Sequence, residues 1–224
     1  METAILSATY FGPIQWYQKL NRMDACIIDP YEHFVKQSYR SRCIISTTQG
    51  LQKLSVPVIF ENHMPLKDVE ISDHGNWRHL HWNALCSAYG ESPFFEYYQD
   101  DIRPFFEKKW KWLLDYDMEI LEKMIELLDL DKTYGKEDSS ISLSKEYVQL
   151  SSGDNISEDQ LGDPQANLSI KDFRMSINPK HPGEDPDFQS LKYYQVYQQK
   201  FGFQENLSIL DLLFNEGNEA VFYL

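Results

Sequence analysis

The sequence is poor in the residues that staple a chain, anchor it in lipid or make it basic. Its three cysteines, Cys26, Cys43 and Cys86, are an odd number at wide spacing. Cys26 and Cys43 lie in the apolar runs ACIID and RCII, where a thiol packs as a small hydrophobe. A disulfide framework is therefore not the basis of the fold, and a reducing compartment is expected. No uninterrupted apolar run reaches the roughly 18 residues that a membrane span needs. The opening residues carry Glu2 where a leader would be basic and are cut by Gly12 and Pro13, so no signal peptide is expected and the chain reads as cytoplasmic. On that reading the Asn-Leu-Ser triplets at Asn167 and Asn206 are not glycosylation sites.

Positive charge is scarce as well. Lys and Arg total 21 against 35 Asp and Glu, a formal charge of −14 whose field repels phosphate backbones, so nucleic acid is not an expected partner. The sequence contains no Gly-x-Gly-x-x-Gly, no Gly-x-x-x-x-Gly-Lys-Ser/Thr, no Gly-x-Ser-x-Gly and no Cys-x-x-Cys. The common dinucleotide, P-loop, hydrolase-elbow and thiol-redox chemistries are thus unsupported, and no cofactor is indicated.

What is present suffices for a full core: 42% hydrophobic and 14% aromatic residues over 224 positions. TAILSAT (3–9), the turn at Gly12-Pro13, IQWYQKLNRM and ACIID read as strand, helix, strand, a compact βαβ unit with parallel strands. RCIISTT, Gln49-Gly50 and LQKLSVPVIF predict an antiparallel hairpin that makes the sheet mixed, with Pro57 at an edge or bulge. Helices follow from about Asn76 to Leu130. Pro93 is expected at a first helical position, and Leu114, Met118, Leu121, Ile125 and Leu128 form one apolar stripe. The fold class is therefore α/β, an N-terminal βαβ unit in a mixed sheet covered by helices. Residues 1–130 form the core, 131–168 an acidic, Ser/Gly-rich excursion, and 169–224 a segment that packs back to complete the same single domain.

Three groups of residues are candidates for chemistry. Tyr10, Phe11 and Gly12 lie where a strand ends and a helix begins, a place where free N–H groups hold anions, although a plain connecting turn accounts for them too. Asp29 ends the second strand on the same edge and is either a hydrogen-bond acceptor and base or the start of a turn with Pro30. In Lys36-Gln37-Ser38-Tyr39-Arg40-Ser41-Arg42, an extended chain would put Lys36, Ser38, Arg40 and Arg42 on one face as a forked anion site. The alternative is a solvated basic turn. Of His74, His79 and His81, the pair His79 and His81 cannot share a metal from one helical turn, although on a strand they could; no metal site is expected, and His81 is a candidate general base beside a structural reading.

The blocks TYFGPIQWYQKL, DPYEHFVKQSYRSRCII, LSVPV, ISDHGNWRHLHWNALCSAYGESPFFEYY and GFQENLSILDLLFNEG, in that order, resemble the bacterial WbqC-like protein family, especially its Bacteroidetes-type branch. The first block departs from the family's Gln-Pro-x-Tyr-x-Pro, reading Ala8-Thr9-Tyr10-Phe11-Gly12-Pro13, and Ser41 stands where Asn is common. Lys36, Arg40 and Arg42 keep the basic pattern, and Ser208, Asp211 and Asn215 match the closing block. The resemblance implies a cytosolic protein associated with O-antigen or other surface-polysaccharide synthesis, of unestablished activity. The expectation is a transferase acting on a small anionic metabolite such as a nucleotide sugar, held through Lys36, Ser38, Arg40 and Arg42. The alternative is a non-catalytic binding or scaffold protein. Oligomeric state is left open.

Overall fold

The computed structural model describes residues 2–133, 140–145 and 169–224. Four strands form one parallel sheet: β1 (Glu2–Leu6), β2 (Ala25–Ile28), β7 (Ile141–Leu143) and β8 (Ser169–Asp172), in the order β7-β2-β1-β8. β1 is central, paired in register with β2 through Thr3 to Leu6 and with β8 through Glu2 to Ile5. A parallel strand covered on both faces reads as a continuous apolar run, and Ala4, Ile5 and Leu6 are all fully buried. α1 (Ile14–Arg22) connects β1 to β2, as the strand–helix–strand spacing predicts.

The hairpin forms as expected, β3 (Arg42–Thr47) against β4 (Gly50–Ser55), with Gly50 at φ 100° supplying the turn. It stands as its own two-stranded ladder, so the parallel and antiparallel pairings are divided between separate sheets. Pro57 lies between two strands: β5 (Val58–Ile59) begins just after it and pairs with β6 (Glu70–Ile71). Helices follow as α2 (Trp77–Tyr89), α3 (Phe95–Ile102), α4 (Pro104–Glu107) and α5 (Leu113–Leu127). α3 starts at Phe95, two residues beyond Pro93. The stripe of α5 is buried at Leu114, Met118, Leu121 and Leu128, with Ile125 packed at its margin.

β7 lies within the stretch read as an excursion, and most of the remainder of that stretch, including Asn167, is outside the described residues. The C-terminal segment carries α6 (Gln198–Phe201) and α7 (Ile209–Glu216) and is stitched to the first turn. Ile14 N donates to Leu207 O, Ile209 N to Gly12 O and Ser208 N to Ile44 O, all between 2.8 and 3.0 Å. α1 has no cap of its own, because Pro13 precedes it. Asn206 provides one from far along the chain, its Oδ1 accepting from Gln15 N at 2.9 Å. A continuous apolar cluster runs from Ala4 to Leu224. Among the described residues no helix is long and apolar enough to cross a membrane.

Candidate functional site at the carboxyl ends of the strands

In chain order the sheet reads third, second, first, fourth, so the connections diverge at the β1/β8 boundary. Open parallel sheets take ligands at such a switch point, outside the carboxyl ends of the strands. Here those ends carry acidic, basic and hydroxyl side chains. Asp29 follows β2, Ser7 follows β1, Ser144 follows β7, and Asp172 and Arg174 end β8; Glu32 and Arg40 come from the loop after β2.

The groups form one network. Arg40 grips Glu32 with both arms of its fork, Nε donating to Oε1 at 2.8 Å and Nη2 to Oε2. Ser7 Oγ donates to the same Oε2 at 3.1 Å. Arg174 forks onto Asp172, with Nε and Nη2 donating at 3.0 and 2.6 Å, and its Nη1 donates to Asp29. Asp29 also accepts from Tyr31 N at 2.9 Å and Ser144 Oγ at 3.1 Å. Arg40 Nη2 reaches the backbone oxygen of Arg174 at 3.4 Å and joins the halves. Burial raises Glu32 above the usual carboxylate range against the pull of Arg40, while the two-armed grip keeps both of its oxygens as acceptors. Of the five ionisable side chains only Asp172, 28% exposed, is within reach of solvent to any extent. The adjoining crevice between Ser7, Thr9, Arg40 and Phe173 has about 10 Å³, room for one water.

One more acid lies near Arg40. Asp117 on α5 is fully buried and neither oxygen has a hydrogen-bond partner among the described residues. Burial holds its carboxyl well above the ordinary range, opposed by Arg40.

Of the residues singled out in the sequence, Arg40 and Asp29 are brought to this network. Lys36 is exposed, and Arg42 donates to Ser55 Oγ at 2.8 Å on the hairpin. The segment is a turn and not an extended strand: Gln37 is left-handed at φ 63°, and Ser38 Oγ donates back to Val35 O at 2.5 Å. Lys36, Ser38, Arg40 and Arg42 therefore do not share a face. The donors around the first turn are largely spent, with Tyr10 N on Tyr39 O, Ile14 N on Leu207 O and Gln15 N on Asn206. Tyr10 and Phe11 are fully buried; Phe11 packs on Phe105 and Phe106, and Gly12 sits against Thr9. His81 is in the aromatic core, its Nδ1 2.9 Å from Tyr10 OH, and burial pushes it down to about 4, so it is neutral at physiological pH. Ser208 and Asp211 are buried in α7, Ser208 as its N-cap. Among the described residues no cluster of His, Cys, Asp and Glu could hold a metal.

Glu32, Asp172 and Arg174 were not legible. Glu32 stands only eight residues before Arg40 in a turn-rich stretch, but Asp172 and Arg174 reach the site only because β8 adds to β1.

The model of the WbqC-like protein family matches residues 8–223. "Uncharacterized protein Rv1507c" of Mycobacterium tuberculosis (strain ATCC 25618 / H37Rv) is 26% identical over 242 residues, covering 100% of this chain and 97% of its own. No solved structure matches.

Proposed function

Because the chain belongs to the WbqC-like protein family, we propose that it is a cytoplasmic enzyme that modifies an activated sugar, or transfers a group onto one, in O-antigen or other surface-polysaccharide synthesis. The observation that supports this most is the buried Arg40–Glu32 and Asp29–Arg174–Asp172 network at the sheet's switch point. Buried ion pairs are weak devices for stability, since desolvation offsets their attraction, so their concentration at the customary ligand edge favours binding chemistry. Asp172 is the group that an arriving ligand meets first, with Arg174 directly behind it. A diphosphate is a forked anion like a carboxylate, so it can replace Asp172 on the Arg174 fork without leaving that cation unpaired. Asp29, which accepts from Tyr31 N, Ser144 Oγ and Arg174 Nη1, is then a positioning residue that fixes Arg174.

A thermal-shift screen against nucleotide sugars, nucleotides, acyl-CoA thioesters and amino acids tests this. A ligand at about a hundredfold over its Kd adds about 2.7 kcal/mol, a rise of roughly 5–10 °C for a chain of this size. The expected result is a rise with nucleotide sugars that Arg174→Lys, which keeps the charge but loses the fork, abolishes. The small volume beside Arg40 favours a second reading, a closed structural network in a non-catalytic binding or scaffold protein that docks a partner through its aromatic and acidic surface. No rise with any class, in a protein that melts cooperatively, would overturn the first reading in favour of the second.

A further inference from the structure

A cleft of about 440 Å³ opens at the start of α2, between the Asp73–His79 segment and the junction of α3 with α4. None of its lining residues belongs to the network at the strand ends. Its volume is that of a small-molecule site.

Two cations from distant parts of the chain converge on one point of its wall. Arg78 Nη1 donates to Asp73 Oδ1 at 2.7 Å and Lys109 Nζ to Asp73 Oδ2 at 2.8 Å. Asp73 is half exposed and Lys109 is 76% exposed, so this bridge is solvated and readily exchanged. Arg78 presents Nη1 to this bridge, while its Nε and Nη2 are shielded from solvent and have no acceptor among the described residues. An anion that displaces Asp73 takes over its charge-assisted contacts with Arg78 Nη1 and Lys109 Nζ. Arg103 adds a third cation, whose ion pair among the described residues is with the exposed Glu107. The three cations outnumber the two carboxylates in a chain whose formal charge is −14, so the cleft runs against the surrounding field.

The rest of the wall is aromatic. The Arg78 guanidinium lies 4.5 Å from the Trp77 ring centre, and the half-buried Trp82 packs 5.8 Å from Phe106 at a tilt of 37°, giving an apolar aromatic lining beside the cations. A purely ionic ligand such as inorganic phosphate leaves that surface unused, whereas the face of a sugar or base covers it.

We infer that this cleft is a second binding site, for a phosphate monoester borne on a ring, a chemistry common to sugar phosphates and mononucleotides. Phosphate takes the place of the Asp73 carboxylate between Arg78 and Lys109, the ring lies on Trp82, and the released Asp73 accepts from ligand hydroxyls. The inference does not rest on the strand-end reading.

Titration of the full chain with AMP, ribose 5-phosphate, adenosine and inorganic phosphate, followed by calorimetry and tryptophan fluorescence, tests it. The two phosphate esters are expected to bind at least about tenfold more tightly than adenosine or inorganic phosphate. The double variant Arg103→Gln, Lys109→Gln removes exposed side chains only, so it folds, and should weaken both esters by about tenfold or more. Trp82→Leu should weaken the esters and leave inorganic phosphate unchanged. A preference for one ester over the other identifies the ring. Failure of both esters to bind, or binding undiminished in the double variant, would overturn the inference.

Discussion

The hydroxyl of Ser208 donates to the carbonyl oxygen of Phe11 at 2.8 Å, joining residues 197 positions apart at the turn that launches α1. Ser208 Oγ also accepts from Leu210 N at 3.4 Å and so caps α7. Phe11 is itself left-handed, at φ 42°, a conformation that bulky residues adopt only where their surroundings impose it. Ser208→Ala removes both the cap and a buried bond and leaves the Phe11 carbonyl without this donor. A loss of about 2 kcal/mol is expected in urea unfolding; a loss within the error of the titration would show that other contacts hold the turn.

The Glu32–Arg40 pair separates stability from function. Glu32→Leu or Arg40→Met alone strands a buried charge and should cost about 3–5 kcal/mol. The double variant removes both charges and should recover most of that loss. If it is as stable as the parent but no longer responds to nucleotide sugars, the pair serves the ligand; a double variant as unstable as either single would assign the pair to the fold.

Gly12 is required by proximity. An added Cβ would meet Thr9 Cβ at 2.9 Å and come closer still to Thr9 Oγ1, on a side chain that is itself buried. Gly12→Ala should therefore destabilise by about 1–3 kcal/mol. An unchanged urea midpoint would mean that Thr9 turns aside at no cost.

Two buried groups give stability opposite pH slopes. Burial raises Asp211 to about 6, against hydrogen bonds from Tyr193 OH at 2.6 Å and Gln195 Nε2 at 3.3 Å. The folded chain then keeps a proton that the unfolded chain has released, so this contribution weakens the fold as pH rises from about 4 to about 6. Burial instead lowers His81 to about 4. Here the unfolded chain binds the proton first, so stability falls as pH drops from about 6.5 toward 4. In the wild type the two slopes partly cancel. Asp211→Asn should uncover the His81 slope, and the stability of the wild type relative to this variant should drop by about 3 kcal/mol between pH 4 and 7. Urea titrations across that range decide it, a difference independent of pH counting against a raised Asp211.

Short-range pattern made much of the architecture legible. The spacing of TAILSAT, IQWYQKLNRM and ACIID dictated β1, α1 and β2; Gln49-Gly50 dictated a hairpin; the repeat from Leu114 to Leu128 dictated α5. Each is a local periodicity or turn preference that a few neighbouring residues suffice to express. Arg40 and Asp29 were legible as site candidates because charge in an acidic chain and the end of a buried strand are both visible in one dimension. The common face drawn for Lys36, Ser38, Arg40 and Arg42 assumed an extended backbone, and the turn at Gln37 scattered it.

The sequence by itself determined β1, α1, β2, the β3–β4 hairpin and α5, the α/β class, the family pattern and the acidic charge. Tertiary structure alone decided that β8 joins β1, which brings Arg174 and Asp172 to Asp29, and that Asn206 and Ser208 close the first turn. It also decided that Arg78 and Lys109 meet on Asp73. These are pairings between residues far apart in the chain, fixed by burial and by the need to satisfy donors and acceptors inside the core, and neither requirement leaves a periodic trace in the residues on one side of the contact.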